Sequence, residues 1–154
     1  MSEQVDQPDD ATTARRGWMG LLARAPAARL AVLMPRDLPG YAMLRAPEVG
    51  AAMVEGRMGG TGARFNLGEM TVTRAVLRLA TGEVGHGHVQ GRDKGHARNA
   101  ALIDALMQTA RADAVRAAVL DPLAAEEAAR RAARAEQAAA TRVEFFTLVR
   151  GEDA

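Results

Sequence analysis

Residues 56–65, Gly56-Arg57-Met58-Gly59-Gly60-Thr61-Gly62-Ala63-Arg64-Phe65, concentrate the groups best suited to grip an anion or a neighbouring chain. Glycine is used where φ must be positive or another group must approach closely. Several N–H groups with no side chain in the way, beside the permanently charged Arg57 and Arg64, could cradle a phosphate or a turn of another chain. The plainer reading is a glycine-rich loop between two strands with solvated arginines. It is not a Walker loop. That pattern needs Gly-Lys-[Ser/Thr] opening a helix, whereas Lys94 is the only lysine and the segment after Phe65 reads as strand. We take Arg57, Gly59, Gly60, Thr61, Gly62 and Arg64 as candidate substrate- or partner-contact residues. No catalytic residue is assigned.

A second constellation is Gly91-Arg92-Asp93-Lys94-Gly95-His96-Ala97-Arg98, at an expected strand-to-helix corner. Arg92 and Lys94 could hold phosphate oxygens and His96 could shuttle a proton. The alternative is an N-capping Asp93 with a solvated first turn, and the two readings are compatible. Arg92, Asp93 and His96 therefore join the candidate set, with Arg92 and His96 expected to adjoin the glycine-rich loop. His86 and His88, two apart on a strand, share a face, and with His96 and Glu83 they could make a zinc site. Two exposed histidines on a glycine-rich strand is the reading adopted, and no metal is expected. Asp104, the one polar residue between Ala100 and Met107, could be a general acid or base, or simply the partner of an arginine. No Ser-His-Asp order, glycosidase-like carboxylate pair or dinucleotide fingerprint is present.

The elements that must position these groups can be read from periodicity. Residues 1–11 are acidic and polar and are expected to form a disordered tail, with residues 12–154 a single domain. Thr12 or Thr13 caps a helix running to about Ala25, and a second short helix covers 27–34 after Pro26. Strands are expected over 41–46, 49–58, 70–79 and 84–90, making an antiparallel sheet of three to four strands. A helix follows from Asp93 or Gly95 to about Arg111, buried on more than one side. Asp121-Pro122 opens an alanine-rich helix to about Thr141, with Glu126/Arg130 and Glu127/Arg131 spaced for ion pairs. Residues 143–150 are β-branched and aromatic and read as a last strand or a docking arm. The fold class is α+β.

The 154 residues carry 20 basic against 19 acidic groups, so no global field draws the chain to nucleic acid or anionic lipid. A winged-helix-like DNA binder, helical pair first and hairpin later, is disfavoured for that reason and for want of a basic recognition helix. Aromatic residues make up 3 %, so the core must rest on Ala, Leu, Val and Met, and burying surface on partners would help it. The absence of cysteine excludes disulfides and thiolate chemistry. The N-terminus has no apolar signal core and no stretch reaches the ~20 apolar residues of a membrane span, so a cytoplasmic protein with no membrane contact is expected.

Several blocks in order resemble the PhnG family, the G subunit of the carbon–phosphorus lyase system. They are Arg57-Met58-Gly59-Gly60-Thr61-Gly62-x-Arg64-Phe65, Gly68-Glu69-x-Thr71-Val72-Thr73-Arg74-Ala75, Val89-Gln90-Gly91-Arg92-Asp93-Lys94-x-His96-Ala97, residues 101–108, and Arg142-Val143-x-Phe145-Phe146-Thr147-x-Val149-Arg150-Gly151. The neighbourhood of Trp18, Met19, Leu21 and Leu22 fits as well. Histidine stands at 86 and 88 where the family is expected to carry aromatic residues, and the alanine-rich helix is the least family-like segment.

The resemblance implies a role in phosphonate catabolism, in a complex with H, I and J subunits. With the I (PhnI), H and L components, such proteins support displacement of adenine from ATP by methylphosphonate, giving α-D-ribose 1-methylphosphonate 5-triphosphate. It implies that ATP is a co-substrate of the complex and that this chain alone binds no cofactor. The catalytic centre would lie mainly on the I subunit and the radical iron–sulfur step on J. Arg57, Thr61, Arg64 and the intervening glycines would then shape a surface against the I subunit.

Overall fold

The computed structural model describes residues 9–149, with side chains over 9–140. The element order is α1 (Asp10–Arg24), α2 (Ala27–Leu33), β1 (Tyr41–Arg57), β2 (Arg64–Leu79), β3 (Val84–Gln90), α3 (Lys94–Leu106), α4 (Ala112–Val115), a π-helical turn (Arg116–Leu120) and α5 (Asp121–Val149). The architecture is α+β: one antiparallel sheet in the order β1-β2-β3, with the helices packed against it.

The sheet has three strands because the two expected at 41–46 and 49–58 are one. Register shifts between Met43 and Arg45 and between Arg45 and Glu48 carry the chain past Pro47 without ending the strand. Proline is tolerated there because β1 is an edge strand. β2 begins at Arg64, earlier than Met70, and carries a further irregularity opposite Val54/Glu55. β3 pairs with β2 only over 72–78. Residues 51–57 and 64–71 therefore form a two-stranded ribbon that runs roughly 25 Å beyond the body of the sheet.

α3 lies across β2 and β3 and presents Ala97, Ala101 and Ala105 to a strand whose inward positions are Gly85 and Gly87. The small residues on both sides let helix and strand backbones nearly touch. A Cβ on Gly87 would stand 1.9 Å from the Ala97 carbonyl oxygen, and one on Gly85 would stand 1.9 Å from that of Ala101. Gly87→Ala is expected to destabilise the fold by about 1–3 kcal/mol through this overpacking. Thermal unfolding checks it against Gly50→Ala, whose added methyl meets no atom within 4 Å.

The helix boundaries differ from expectation in instructive ways. The cap of α1 is Asp9, whose side chain accepts from the Thr12 N–H at 2.7 Å, so residues 10 and 11 are helical instead of belonging to the tail. That hydrogen bond holds the Asp9 carboxyl below its usual range. Residues 1–8 of the expected tail lie outside the described residues. Asp93 does cap α3, accepting from the His96 N–H at 2.9 Å. Asp121, by contrast, is no cap: it has helical φ/ψ and continues the run from Ala112. The widened π turn before it accommodates Pro122, which lacks an N–H and crowds the preceding turn of an ordinary α-helix. Residues 143–149 prolong α5 and do not form a strand. Arg150 lies outside the described residues.

α5 is fastened at its base and then leaves the body. Leu123 is buried, and Glu126 and Glu127 meet Arg29 (2.8 Å) and Arg24 (2.7 Å). The expected i,i+4 pair Glu127/Arg131 forms at 3.3 Å, while Glu126 turns to Arg29. Every side chain from 128 to 140 is exposed. Arg24 holds the Glu127 carboxyl below the ordinary range, chiefly by hydrogen bonding. A folded-state pKa below the unfolded one stabilises fully above the unfolded value of about 4.3 and is lost as pH falls through the folded value. Amide exchange at the base of α5 is thus expected to quicken below about pH 4, and Glu127→Gln should abolish that pH dependence.

Candidate functional site

The glycine-rich stretch is the tip of the ribbon. Arg57 and Arg64 are its last pair, and residues 58–63 close it. Gly59 and Gly60 have φ of 59° and 82°, in the left-handed region that L side chains avoid. A Cβ at Gly62 would stand 2.7 Å from the Met58 carbonyl oxygen. The turn uses its own amides: the Thr61 and Gly62 N–H groups both donate to the Met58 carbonyl, and the Met58 N–H donates to Ala63. The Met58, Thr61 and Gly62 donors are therefore engaged within the turn.

What the tip presents outward is charge and apolar surface. Arg57 and Arg64 stand directly opposite each other, and Arg64 meets Glu55 at 3.7 Å, both side chains exposed. Like charges directly across a strand pair are destabilising unless something answers them. Arg57, Arg64, Glu55 and Gly56 line an open hollow at this end. Phe65 and Leu67 close over Gly56, 3.4 and 3.5 Å from where its Cβ would be. Met58 (69 % exposed), Leu67 (66 %) and Met53 (57 %) add apolar surface along the ribbon. A bare two-stranded ribbon is marginal in water. This one is polar at its end and apolar along its sides.

The second constellation does not join the first. Gly91 donates its N–H to Thr71 at the root of the ribbon, so Arg92 and Asp93 stand roughly 20 Å of strand away from Arg57 and Arg64. The expectation that Arg92 and His96 adjoin the tip is thus corrected by the strand geometry. His96 is turned inward. It is 5 % exposed, and its Nε2 lies 2.9 Å from the Leu22 carbonyl, which accepts the Nε2–H and so ties α3 to the end of α1. Arg92 is exposed.

Asp104 resolves to the plainer of its two readings. Wholly buried, it accepts from Arg15 Nε (3.1 Å) and Nη2 (2.7 Å), from Trp18 Nε1 (2.9 Å) and from the His86 N–H (2.9 Å). All its strong acceptor directions are engaged, leaving none for a substrate proton. The carboxylate is the pin that joins α1, α3 and β3. Its partners Arg15 and Trp18 were not singled out from sequence, although a lone acid on an apolar helix is itself the signal that a buried donor must exist elsewhere. His86 and His88 do share the exposed face of β3, but His96 and Glu83 do not join them. Among the described residues no group of three His, Cys, Asp or Glu is placed to hold a metal ion. Nor is any helix there long and apolar enough to cross a membrane.

A family model described as "Phosphonate metabolism protein PhnG" matches residues 13–151, nearly the whole chain. The chain belongs to the PhnG family. It is also similar to the α-D-ribose 1-methylphosphonate 5-triphosphate synthase subunit PhnG of Rhizobium meliloti (strain 1021), at 49 % identity over 156 residues, covering 99 % of this chain and all of that protein. The match spans both the ribbon tip and the β3–α3 corner, so the family relationship includes every candidate residue.

Proposed function

We propose that this chain is a non-autonomous subunit of an α-D-ribose 1-methylphosphonate 5-triphosphate synthase, supporting displacement of adenine from ATP by methylphosphonate during phosphonate catabolism in the cytoplasm. The observation that carries the reading is the end-to-end similarity to a synthase subunit. In this reaction the bond from C1′ of ribose to adenine breaks, a phosphonate oxygen bonds to C1′, and adenine leaves with a proton. An oxocarbenium-like transition state requires a clamped triphosphate, a proton source for adenine and exclusion of water. ATP enters as co-substrate of the complex, and this chain needs no cofactor of its own.

The I subunit (PhnI) is the main partner in this account, with H, J and L the further components. The ribbon tip docks on it through Arg57 and Arg64, supported by Gly59, Gly60, Thr61 and Gly62, which give the turn its shape. Arg92, Asp93 and His96 act away from this contact, the last two in holding α3. The exposed length of α5 offers a second, small-residue face for close packing against another subunit.

A second reading, a structural adaptor that touches no substrate, has a specific observation in its favour: Asp104 and His96 are both engaged inside the fold. Steady-state kinetics on assembled complex carrying Arg64→Ala discriminate the two. A lowered kcat with assembly intact supports a contribution to the reaction centre, and unchanged kinetics support the adaptor.

A further inference from the structure

The sheet is covered on one face only. Gly85, Gly87 and Val89 point toward α3, so the alternate residues His86 and His88 point to the open face. Register determines what surrounds them. Arg74 stands opposite His88, and Val76, opposite His86, stands opposite Arg45 on its other side. With Met19 of α1 as a wall, these side chains line a cleft of about 260 Å³. A second cleft of about 420 Å³ shares Met19 and His88 and continues along α1 past Arg16 and Ala23 to Thr12.

No carboxylate lines either cleft. Those bonded to residues of the lining are Glu48, which reaches Arg45 at 3.6 Å and stands opposite Arg74, Asp9, which accepts from the Thr12 N–H, and Asp104, which is fully occupied by Arg15, Trp18 and the His86 N–H. Arg74 gives one N–H to the Ala51 carbonyl at 3.2 Å and keeps its other donors. Among the described residues neither imidazole, nor Arg16, makes a side-chain hydrogen bond within the fold: His86 is bonded there through its backbone N–H. A concave site with several cationic or ring donors and no anion of its own selects an oxyanion. The two arginines also repel a divalent cation, which argues against reading the histidines as metal ligands.

We propose that this cleft binds the tetrahedral head of a phosphate-class ligand, phosphoryl or phosphonyl. Arg45, Arg74, His86 and His88 hold the oxygens, and the remainder of the ligand lies along α1 in the adjoining, more apolar cleft. The smaller cleft is below the size that encloses a whole drug-like or nucleotide ligand, so it takes a charged head alone. The inference stands on the open sheet face and does not depend on membership of the synthase complex.

Calorimetric titration of the full-length chain at constant ionic strength tests it, with tripolyphosphate, methylphosphonate and inorganic phosphate as probes and acetate as control. Saturable binding of at least one phosphate-class probe and none of acetate is expected. Arg45→Gln and His88→Asn should each weaken it about ten-fold or more, with Tm unchanged because both side chains are exposed; His86→Gln serves if either variant fails to fold. Arg134→Gln, on the exposed length of α5, should leave binding as it was. Preference for tripolyphosphate would assign the head to a polyphosphate, and preference for methylphosphonate to a phosphonate. Absence of saturable binding, or binding indifferent to the Arg45 and His88 substitutions, overturns the proposal. So would loss of subunit assembly in those variants with anion binding intact, which would mark the face as a protein contact.

Discussion

Asp104→Ala is expected to destabilise the folded chain by about 3–5 kcal/mol, the range for removing one member of a buried ion pair. The effect is large because a single carboxylate on α3 answers donors from two other elements, α1 and β3. Its loss strands the half-buried Arg15 guanidinium, the Trp18 indole N–H and the His86 backbone N–H together. Replacing buried partners jointly is milder than removing one, because no stranded donor remains. Arg15→Met combined with Asp104→Leu should therefore recover part of the stability lost in Asp104→Ala. Chemical denaturation followed by the fluorescence of Trp18, the only tryptophan, reads both variants. A loss below about 1 kcal/mol, typical of a surface change, would show that the pin is not what holds α1 to the sheet.

The second large effect is expected on assembly instead of folding. Arg57→Glu with Arg64→Glu should weaken association with the I subunit on the order of a hundred-fold, within the 2–5 kcal/mol range for a charge pair lost from an interface. The Tm of the isolated chain should stay within about 0.5 kcal/mol equivalent of the parent, since both side chains are exposed at the end of a ribbon that supports nothing else. The opposed arginines explain the sign. They stand opposite each other in the free chain, and acidic groups on a partner would answer them, so reversing their charge should remove that attraction. Arg57→Ala and Arg64→Ala variants that assembled normally and supported full product formation would remove the tip from the interface.

Much of this was legible in the residues. The switch at Tyr41 from helical to strand pattern, the Asp93 cap and the alternation of β3 all follow from local chemistry, and each element forms where that chemistry puts it. The ribbon was only half visible. Its glycines announced a loop between strands, but which of its amides the turn engages depends on backbone geometry no spacing rule conveys. Residues 41–46 and 49–58 read as two strands because a bulged edge strand and two short strands share the same pattern. Asp121-Pro122 read as a helix start because the π turn that lets a helix pass through proline has no composition of its own. The β-rich residues 143–149 are helical because they continue a helix already under way, and propensity yields to such context. At Asp104 sequence exposed the problem of a lone acid among apolar residues, while the answer, Arg15, lay 89 positions away.

The most direct test of the central claim is adenine release from ATP in the presence of methylphosphonate, using co-expressed I, H and L components with and without this chain. The account predicts that the chain co-purifies with the I subunit and that adenine release, coupled to the phosphonate adduct, is restored only when it is included. A chain that stays apart from the I subunit, or a preparation that turns over equally well without it, would contradict the account.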